Sequence, residues 1–458
     1  MIELENAVVY HGSNLDVLPT LPDNSVDAIV TDPPYELGFM GKSWDSSGIA
    51  YRVELWRECL RVLKPGGHLL AFGGSRTWHR IAVAIEDAGF DVRDSIAWLY
   101  GSGFPKSLDI SKAIDKAAGA EREVLETIPD RWTGKGNVYQ YAMAEEKENV
   151  NITAPATDEA KKWQGWGTAL KPAFEPVVVA RKPLVGTVAA NVLLWGVGGL
   201  NIDGSRIGFT SAADQASATP QGKVTSNSMA GAAPDVEGGQ RKEIERPDNS
   251  KGRWPANIIL DEYTAGLLDE QSGISKDGTA VKHNSAGKNI FSSTIKPTSD
   301  DMGYGNSGGA SRFFYVAKAS KKDRNEGLED LEGKEIGAKG NGLGRTCATC
   351  SASVLDGCEC ADRTFVNPTR QNFHPTVKPT ALMEYLVKLV TPPGGTVLDP
   401  FTGSGSTGKA ALLNGFKFIG IELTADYLPI IEGRLKHAAE TYANQATEEA
   451  NKEQETLF

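Results

Sequence analysis

A chain of 458 residues has room for roughly two or three domains of about 150 residues each, and 40% hydrophobic content with nine tryptophans can build a substantial core. The net charge of −11 argues against a uniformly basic nucleic-acid binder but leaves room for local basic patches. The start, Met1-Ile2-Glu3-Leu4-Glu5, has neither the basic residues nor the apolar run of a secretory signal, and no uncharged apolar run reaches the roughly 18 residues of a membrane span, so a cytoplasmic chain without a membrane partner is expected.

Ala7-Val8-Val9-Tyr10 reads as a short strand running into His11-Gly12-Ser13, and Leu15 to Leu21 as a small helix. Val26-Asp27-Ala28-Ile29-Val30 is a buried strand. It must stop at Thr31-Asp32-Pro33-Pro34-Tyr35, because two prolines fix φ and donate no backbone hydrogen bonds. Asp32 and Tyr35 then project from the carboxyl end of a strand, the edge at which open α/β sheets bind ligands. An ordinary capped strand end is the competing reading. Gly38 to Asp45 is a glycine-punctuated loop with two large hydrophobes, Phe39 and Trp44, which either closes over a ligand or docks on the core.

Tyr51 to Leu63 has helical amphipathicity and ends at Lys64-Pro65-Gly66-Gly67; His68 to Phe72 is the next strand. Thr77 to Ala88 is a helix with Gly89 as its C-cap, and Val92 to Tyr100 a strand. This alternation predicts a sheet with helices on both faces. Residues 110 to 170 are polar and partly helical, and Glu175 to Ala180 adds one more strand. From 208 to 310 the composition shifts to Ser, Ala, Gly, Pro, Asn and Gln, with no aromatic between Phe209 and Trp254, which predicts a segment that is mobile or ordered by a partner. Strands are expected at Trp254 to Leu260 and at Arg312 to Lys318. The second leads into Lys321, Lys322 and Arg324, and a basic cluster beside aromatics is the pattern of a nucleic-acid face, a solvated helix start being the commoner cause.

Four of the five cysteines follow, as Cys347-x2-Cys350-x7-Cys358-x-Cys360. Thiolates so closely paired can converge on one tetrahedral Zn²⁺ and order a loop too small to fold by burial, as expected of a reducing compartment; scattered surface thiols are the alternative.

Near the C-terminus, Gly395-Thr396-Val397-Leu398-Asp399-Pro400-Phe401 is a strand, Thr402-Gly403-Ser404-Gly405-Ser406-Thr407-Gly408 a glycine turn opening a helix from Lys409 to Leu413, and Phe416 to Glu422 a strand ending in an acid. Glycines at a strand-to-helix turn let a ligand approach the backbone, and an acid some 20 residues on can accept hydrogen bonds from ribose hydroxyls. A P-loop would use Gly403, Gly408 and Lys409, but Ala410 replaces the Ser or Thr that would hold Mg²⁺. A dinucleotide fits the glycines, yet the carboxylate of Asp399 would repel a pyrophosphate. S-adenosylmethionine, with a sulfonium, an ammonium, a ribose and no phosphate, fits Asp399, the turn and Glu422 together. Too little chain follows this turn to complete a doubly wound sheet, so the missing strands must be those at the N-terminus. The chain is a circular permutation that puts Asp32 and Gly403 at one sheet edge.

With Asp32-Pro33-Pro34-Tyr35 first and Phe401-x-Gly403-x-Gly405 last, the chain resembles the β-class DNA amino-methyltransferases. His374-Pro375-Thr376-Val377-Lys378-Pro379 is similar to that family's H-x-x-x-K-P segment. The likeness covers the N-terminal hundred residues and the last ninety or so. Ser13 stands where the family usually carries Asp, and the cysteine cluster is not a family feature. The resemblance implies an α/β, circularly permuted, Rossmann-like doubly wound sheet with a central recognition insertion, into which the zinc-binding loop falls. It divides the chain into a catalytic half (1–110), a target-recognition region (111–370, with 171–207 returning to the sheet and the zinc loop at 345–362), a cofactor half (371–440) and a polar tail (441–458).

It further implies Asp32, Pro33, Pro34 and Tyr35 as catalytic residues and S-adenosyl-L-methionine as cofactor, held by Asp399, Pro400, Phe401, Gly403, Gly405, Glu422, Thr376, Lys378 and Pro379. Double-stranded DNA is the implied partner; the basic cluster read above then offers Lys318, Lys321, Lys322 and Arg324 as phosphate contacts, and the assembly is left open between a single chain and a homodimer. The implied reaction is methylation of a flipped base at N6 of adenine. Open alternatives are N4 of cytosine, an RNA or protein-amide substrate, and a catalytically silent DNA-binding protein.

Overall fold

The computed structural model describes residues 1–37, 43–101, 103, 107–129, 149–212, 214–215, 251–276, 307–318, 320, 322–335, 346–347, 349, 360, 365–366 and 369–455. Ten strands share one sheet: β1 (Ile2–Leu4), β2 (Ala7–His11), β3 (Val26–Thr31), β4 (Leu63–Phe72), β5 (Asp91–Leu99), β6 (Phe174–Arg181), β7 (Ile258–Asp261), β8 (Tyr315–Ala317), β9 (Thr396–Asp399) and β10 (Lys417–Glu422). Their spatial order is β1-β2-β10-β9-β3-β4-β6-β5-β7-β8.

The last two strands of the chain therefore lie inside the sheet formed by the first ones. β9 runs parallel to β3, with Val397 opposite Ala28, and β10 runs parallel to β2, with Ile419 opposite Val8. That is the permuted order expected. β6 is antiparallel to both neighbours, pairing Phe72 with Val177 and Leu99 with Phe174, so its first residues reach the edge at which the parallel strands end. β7 and β8 extend the sheet beyond β5, so the central region contributes three strands to the sheet.

The helices are α1 (Asn14–Val17), α2 (Val53–Val62), α3 (Trp78–Asp87), α4 (Ile110–Ala117), α5 (Asp158–Lys162), α6 (Val188–Trp195), α7 (Glu262–Ser272), α8 (Thr380–Val390), α9 (Ser406–Leu413) and α10 (Leu428–Glu455). Strand side chains alternate between faces. Ile29, Leu69 and Leu398 face Leu55, Trp56, Cys59 and Ile85 of α2 and α3, whereas Ala28, Leu70 and Val397 face Leu382, Leu386, Ala411 and Leu435 of α8, α9 and α10. Gly408 lies in that second layer; a Cβ there would come within 2.6 Å of Leu435 and Phe418, so only glycine lets α9 approach the sheet this closely.

Several boundaries differ from the sequence reading, among them the expected Trp254 to Leu260 strand, which starts only at Ile258. β4 begins at Leu63 and runs through Pro65-Gly66-Gly67, because Asn191 Nδ2 donates to Pro65 O at 2.8 Å and Gly66 N to Lys182 O at 3.1 Å, which supplies partners for that stretch of backbone. The Arg312 to Lys318 strand shortens to Tyr315–Ala317, since Ala310–Phe313 forms a 3-10 turn. Most of the Ser/Gly-rich stretch, including 216–250 and 277–306, lies outside the described residues, as does Phe39.

Candidate active site

β2, β10, β9, β3 and β4 all point the same way, so His11, Glu422, Asp399, Asp32 and Gly73 emerge at one edge. A cavity of about 1470 Å³ opens there, walled by the Asp32–Tyr35 corner, Glu175, Lys378, Phe401, Gly403 and Glu422. Both expected halves of the site thus share one space. The corner is firmly set: Glu36 takes a left-handed φ of 55°, its N–H and that of Leu37 donate to the buried Asp45 carboxylate, and Thr77 Oγ1 donates to Tyr35 O at 2.9 Å.

Lys378 is the hub of the Asp32–Tyr35 corner. Its Nζ lies 2.8 Å from Asp32 Oδ2, 3.0 Å from the Tyr35 hydroxyl and 3.2 Å from Glu175 Oε2, and Tyr35 donates to Glu175 Oε2 at 2.7 Å. The ammonium also stands 4.8 Å from the centre of the Phe72 ring and 5.2 Å from that of Tyr35. Burial pushes the Asp32 carboxyl up and Lys378 pulls it back down, while Glu175 adds to the rise. Burial disfavours the Lys378 ammonium, but Asp32 and Glu175 together outweigh it and hold the proton on Lys378. Burial and the two carboxylates push the Tyr35 phenol well up. Two carboxylates face one ammonium, so the corner carries one excess formal negative charge. Asp32 Oδ1 is buried with no hydrogen-bond partner, which leaves a strong acceptor uncommitted at the cavity wall.

Across the cavity, Gly403 takes φ 55° and Gly405, the N-cap of α9, φ 75°. Gly403 N donates to Glu422 Oε2 at 2.8 Å and Thr424 N to Oε1 at 2.7 Å. Burial raises the Glu422 carboxyl and these N–H donors oppose the rise. A Cβ on Gly403 would sit 3.1 Å from His374 Nε2. His374 is fixed through Nδ1 to Thr376 O at 2.8 Å, and burial lowers its pKa to about 4. Pro400, Phe401 and Thr376 line the same wall, and Ser13 lines it while capping α1 through Leu15 N.

Other expected ligands turn away from the cavity. Asp399 is buried behind the wall with both oxygens engaged, accepting from Thr31 Oγ1 and Thr407 Oγ1 at 2.6 Å each and from Phe401 N at 3.0 Å. It fastens β3, β9 and α9 together, and burial raises its pKa to about 6. Gly405 and Pro379 also stand behind the wall, Pro379 as the N-cap of α8. Lys409, the lysine of the P-loop alternative, is buried against Asp323 at 2.8 Å and Glu326 at 2.9 Å instead of facing the cavity. Arg434 braces the turn from behind through Ser404 O, Ser404 Oγ and Ser406 Oγ.

In the basic cluster, Lys318 and Lys322 are exposed and Lys321 lies outside the described residues. Arg324 points inward, its guanidinium donating to the carbonyls of Asn372 and His374. Its phosphate-contact reading is corrected on that geometry: Arg324 holds the loop that carries His374 and Lys378. Of the thiols, Cys347 is buried, Cys360 half-buried, and Cys350 and Cys358 lie outside the described residues. Among the described residues no group of three or more His, Cys, Asp or Glu side chains is placed to hold a metal. No helix among them is long and apolar enough to cross a membrane. Glu175 went unrecognised in the sequence; its only signal was its position at the start of a strand.

A sheet of this permuted order with Asp-Pro-Pro-Tyr and the glycine turn on one cavity defines an α/β fold of the methylase class. The DNA methylase family covering N6 and N4 enzymes matches residues 26–433, and the chain belongs to that family. It is 43% identical over 72 residues to the DNA adenine methyltransferase YhdJ of Escherichia coli K12, covering 16% of this chain and 24% of that protein. It is 43% identical over 68 residues to the Type II methyltransferase M.ScaI of Streptomyces caespitosus, covering 15% and 22%. Those matches span about a quarter of the relatives' own length. The structure of the cytosine-N4-specific PvuII DNA methyltransferase aligns over 96% of this chain and 92% of its own, with 13% identity and a TM-score of 0.38.

Proposed function

We propose that the protein transfers a methyl group from S-adenosyl-L-methionine to the exocyclic N6 of adenine in a specific sequence of double-stranded DNA. The observation that carries this reading is the uncommitted Asp32 Oδ1, buried beside Pro33 and Tyr35 in the cavity that also holds Gly403 and Glu422. The cofactor, when bound, supplies an electrophilic methyl on a sulfonium. The residues present suit it. Glu422 offers carboxylate lone pairs to ribose hydroxyls, Gly403 exposes backbone without a Cβ, and the excess negative charge of the Asp32–Glu175–Lys378 group favours a cationic ligand over a pyrophosphate. Thr376, Pro400 and Phe401 shape the wall.

An exocyclic amino nitrogen is a poor nucleophile because its lone pair is delocalised into the ring. Asp32 Oδ1 accepts one amino hydrogen and the Pro33 carbonyl the other, which draws the nitrogen toward tetrahedral geometry as positive charge develops; fixed acceptors of this kind need no reorganisation. Lys378 favours the ionised form of Asp32 for that task, against the burial that raises its carboxyl. The base must leave the duplex to arrive here, and Tyr35 offers it a stacking face. Adenine is favoured over cytosine because Asp at the first motif position more often accompanies adenine in the family and because a purine gives Tyr35 more surface. Transfer of labelled methyl groups to DNA, RNA and protein, compared between wild type and Asp32→Ala, tests the substrate class: DNA should be labelled by wild type alone, and label in protein or RNA instead would refute the assignment.

Lys318, Lys321 and Lys322 are proposed as phosphate contacts, and a homodimer as the assembly. One structural Zn²⁺ on Cys347, Cys350, Cys358 and Cys360 completes the proposal; elemental analysis should give about one zinc per chain. Metal-free protein with four titratable thiols would remove it.

A further inference from the structure

Between β5 and β6 the chain leaves the sheet and returns through residues 161–174, Lys-Lys-Trp-Gln-Gly-Trp-Gly-Thr-Ala-Leu-Lys-Pro-Ala-Phe. In a chain of net charge −11 this stretch holds three lysines and no acid. Its position is fixed by hydrogen bonds. Ile110 N donates to Trp166 O at 3.1 Å, Thr168 N to Ser107 Oγ at 2.9 Å, Leu108 N to Thr168 Oγ1 at 3.0 Å, and Tyr100 N to Ala173 O at 2.9 Å. Thr168 to Phe174 form part of the rim of the cavity that holds Asp32. The segment is a strap laid across one side of the entrance.

What the strap presents outward is unusual for a surface. Leu170 is 93% exposed and Trp166 59%, and Trp163 and Phe174 are exposed as well. Trp163 and Trp166 meet edge to face, their centres 5.1 Å apart, which holds the two indoles in place. Lys161 pairs with Asp158 at 2.9 Å on the exposed surface, a contact that yields readily, and Lys171 donates to Gly101 O at 2.6 Å. Four large apolar side chains exposed on one segment, two of them in contact, mark a contact surface. Aromatic faces interleaved with lysines are what stacks unpaired bases while neutralising their phosphates.

We infer that the strap 161–174 binds the polynucleotide strand flanking the base that enters the cavity, with Trp163 and Trp166 stacking on bases and Lys162 and Lys171 meeting phosphates. Three features favour nucleic acid over a protein partner here: the local charge, the paired indoles, and continuity with the cavity. A strand delivering a base to Asp32 has to approach the cavity mouth that this rim borders. The inference rests on the nucleic-acid substrate proposed above.

The test measures anisotropy of labelled random-sequence DNA, duplex and single-stranded, with melting curves and S-adenosylmethionine calorimetry on the same samples. Trp163→Ala/Trp166→Ala should weaken single-strand binding by about tenfold or more, the scale of lost base stacking. Melting temperature and cofactor affinity should not change, and Trp163→Phe/Trp166→Phe should restore most of the loss. Lys162→Ala/Lys171→Ala should flatten the salt dependence. If wild type binds DNA and the double alanine variant binds it equally well, the strap assignment fails while the functional reading stands. A loss that follows a lowered melting temperature and is not restored by phenylalanine also overturns it. Wild type that binds no DNA at all refutes the functional reading, and the strap falls with it.

Discussion

Lys378 Nζ stands 2.8 Å from Asp32 Oδ2, although 346 residues separate the two in the chain. The pair joins the first motif to the H-x-x-x-K-P segment and bears on the ionisation of the proposed acceptor. Removing the ammonium in Lys378→Met leaves Asp32 buried beside Glu175 with only the Tyr35 hydroxyl to oppose the rise in its pKa. Because the ionised form is the working form, the acidic limb of the turnover profile should move to higher pH, turnover at pH 7 should drop by about tenfold or more, and it should recover as the pH is raised. Glu175→Gln removes a negative neighbour and should move the same limb to lower pH. Profiles that overlay wild type in both variants would show that Asp32 is not the group titrating.

Gly403→Val should abolish cofactor binding. The left-handed φ of 55° disfavours a β-branched residue, and the new side chain would start 3.1 Å from His374 Nε2, inside the space the ligand needs. Calorimetry is the direct check. Wild-type affinity in a folded variant would mean that the cofactor is held elsewhere.

The two motifs that line the cavity were legible because each is contiguous. Two prolines after an apolar run can only end a strand, and a glycine turn between a strand and a helix can only expose backbone. The permutation followed from counting what the chain had left after Gly408. Side chains whose partners come from distant segments were not legible. Asp399 reads as a ligand until Thr31 and Thr407 are seen to occupy both its oxygens. Glu175 is 140 residues from Tyr35 and reaches the site only because β6 runs antiparallel to its neighbours. Arg324 sits among lysines in sequence, yet it is spent on two carbonyls of the His374 loop.

That last placement separates two kinds of variant. Arg324→Ala should lower stability by about 1.5 to 3 kcal/mol, the worth of a hydrogen bond from a charged group, and weaken cofactor binding without altering the salt slope of DNA binding. Neutralising Lys318, Lys321 and Lys322 together should do the reverse, weakening binding to all sequences and flattening the slope. Melting curves and binding isotherms at several salt concentrations distinguish them. A flattened slope in Arg324→Ala would return that residue to the phosphate contacts.

The most direct test is mass spectrometry of nucleosides from DNA incubated with the protein and S-adenosylmethionine. N6-methyladenine should accumulate with wild type and be absent with Asp32→Ala, which should still bind cofactor and DNA because it lacks an acceptor needed mainly in the transition state. N4-methylcytosine without N6-methyladenine would overturn the choice of base. DNA left unmethylated by wild-type protein that binds both cofactor and DNA would contradict the account at its centre.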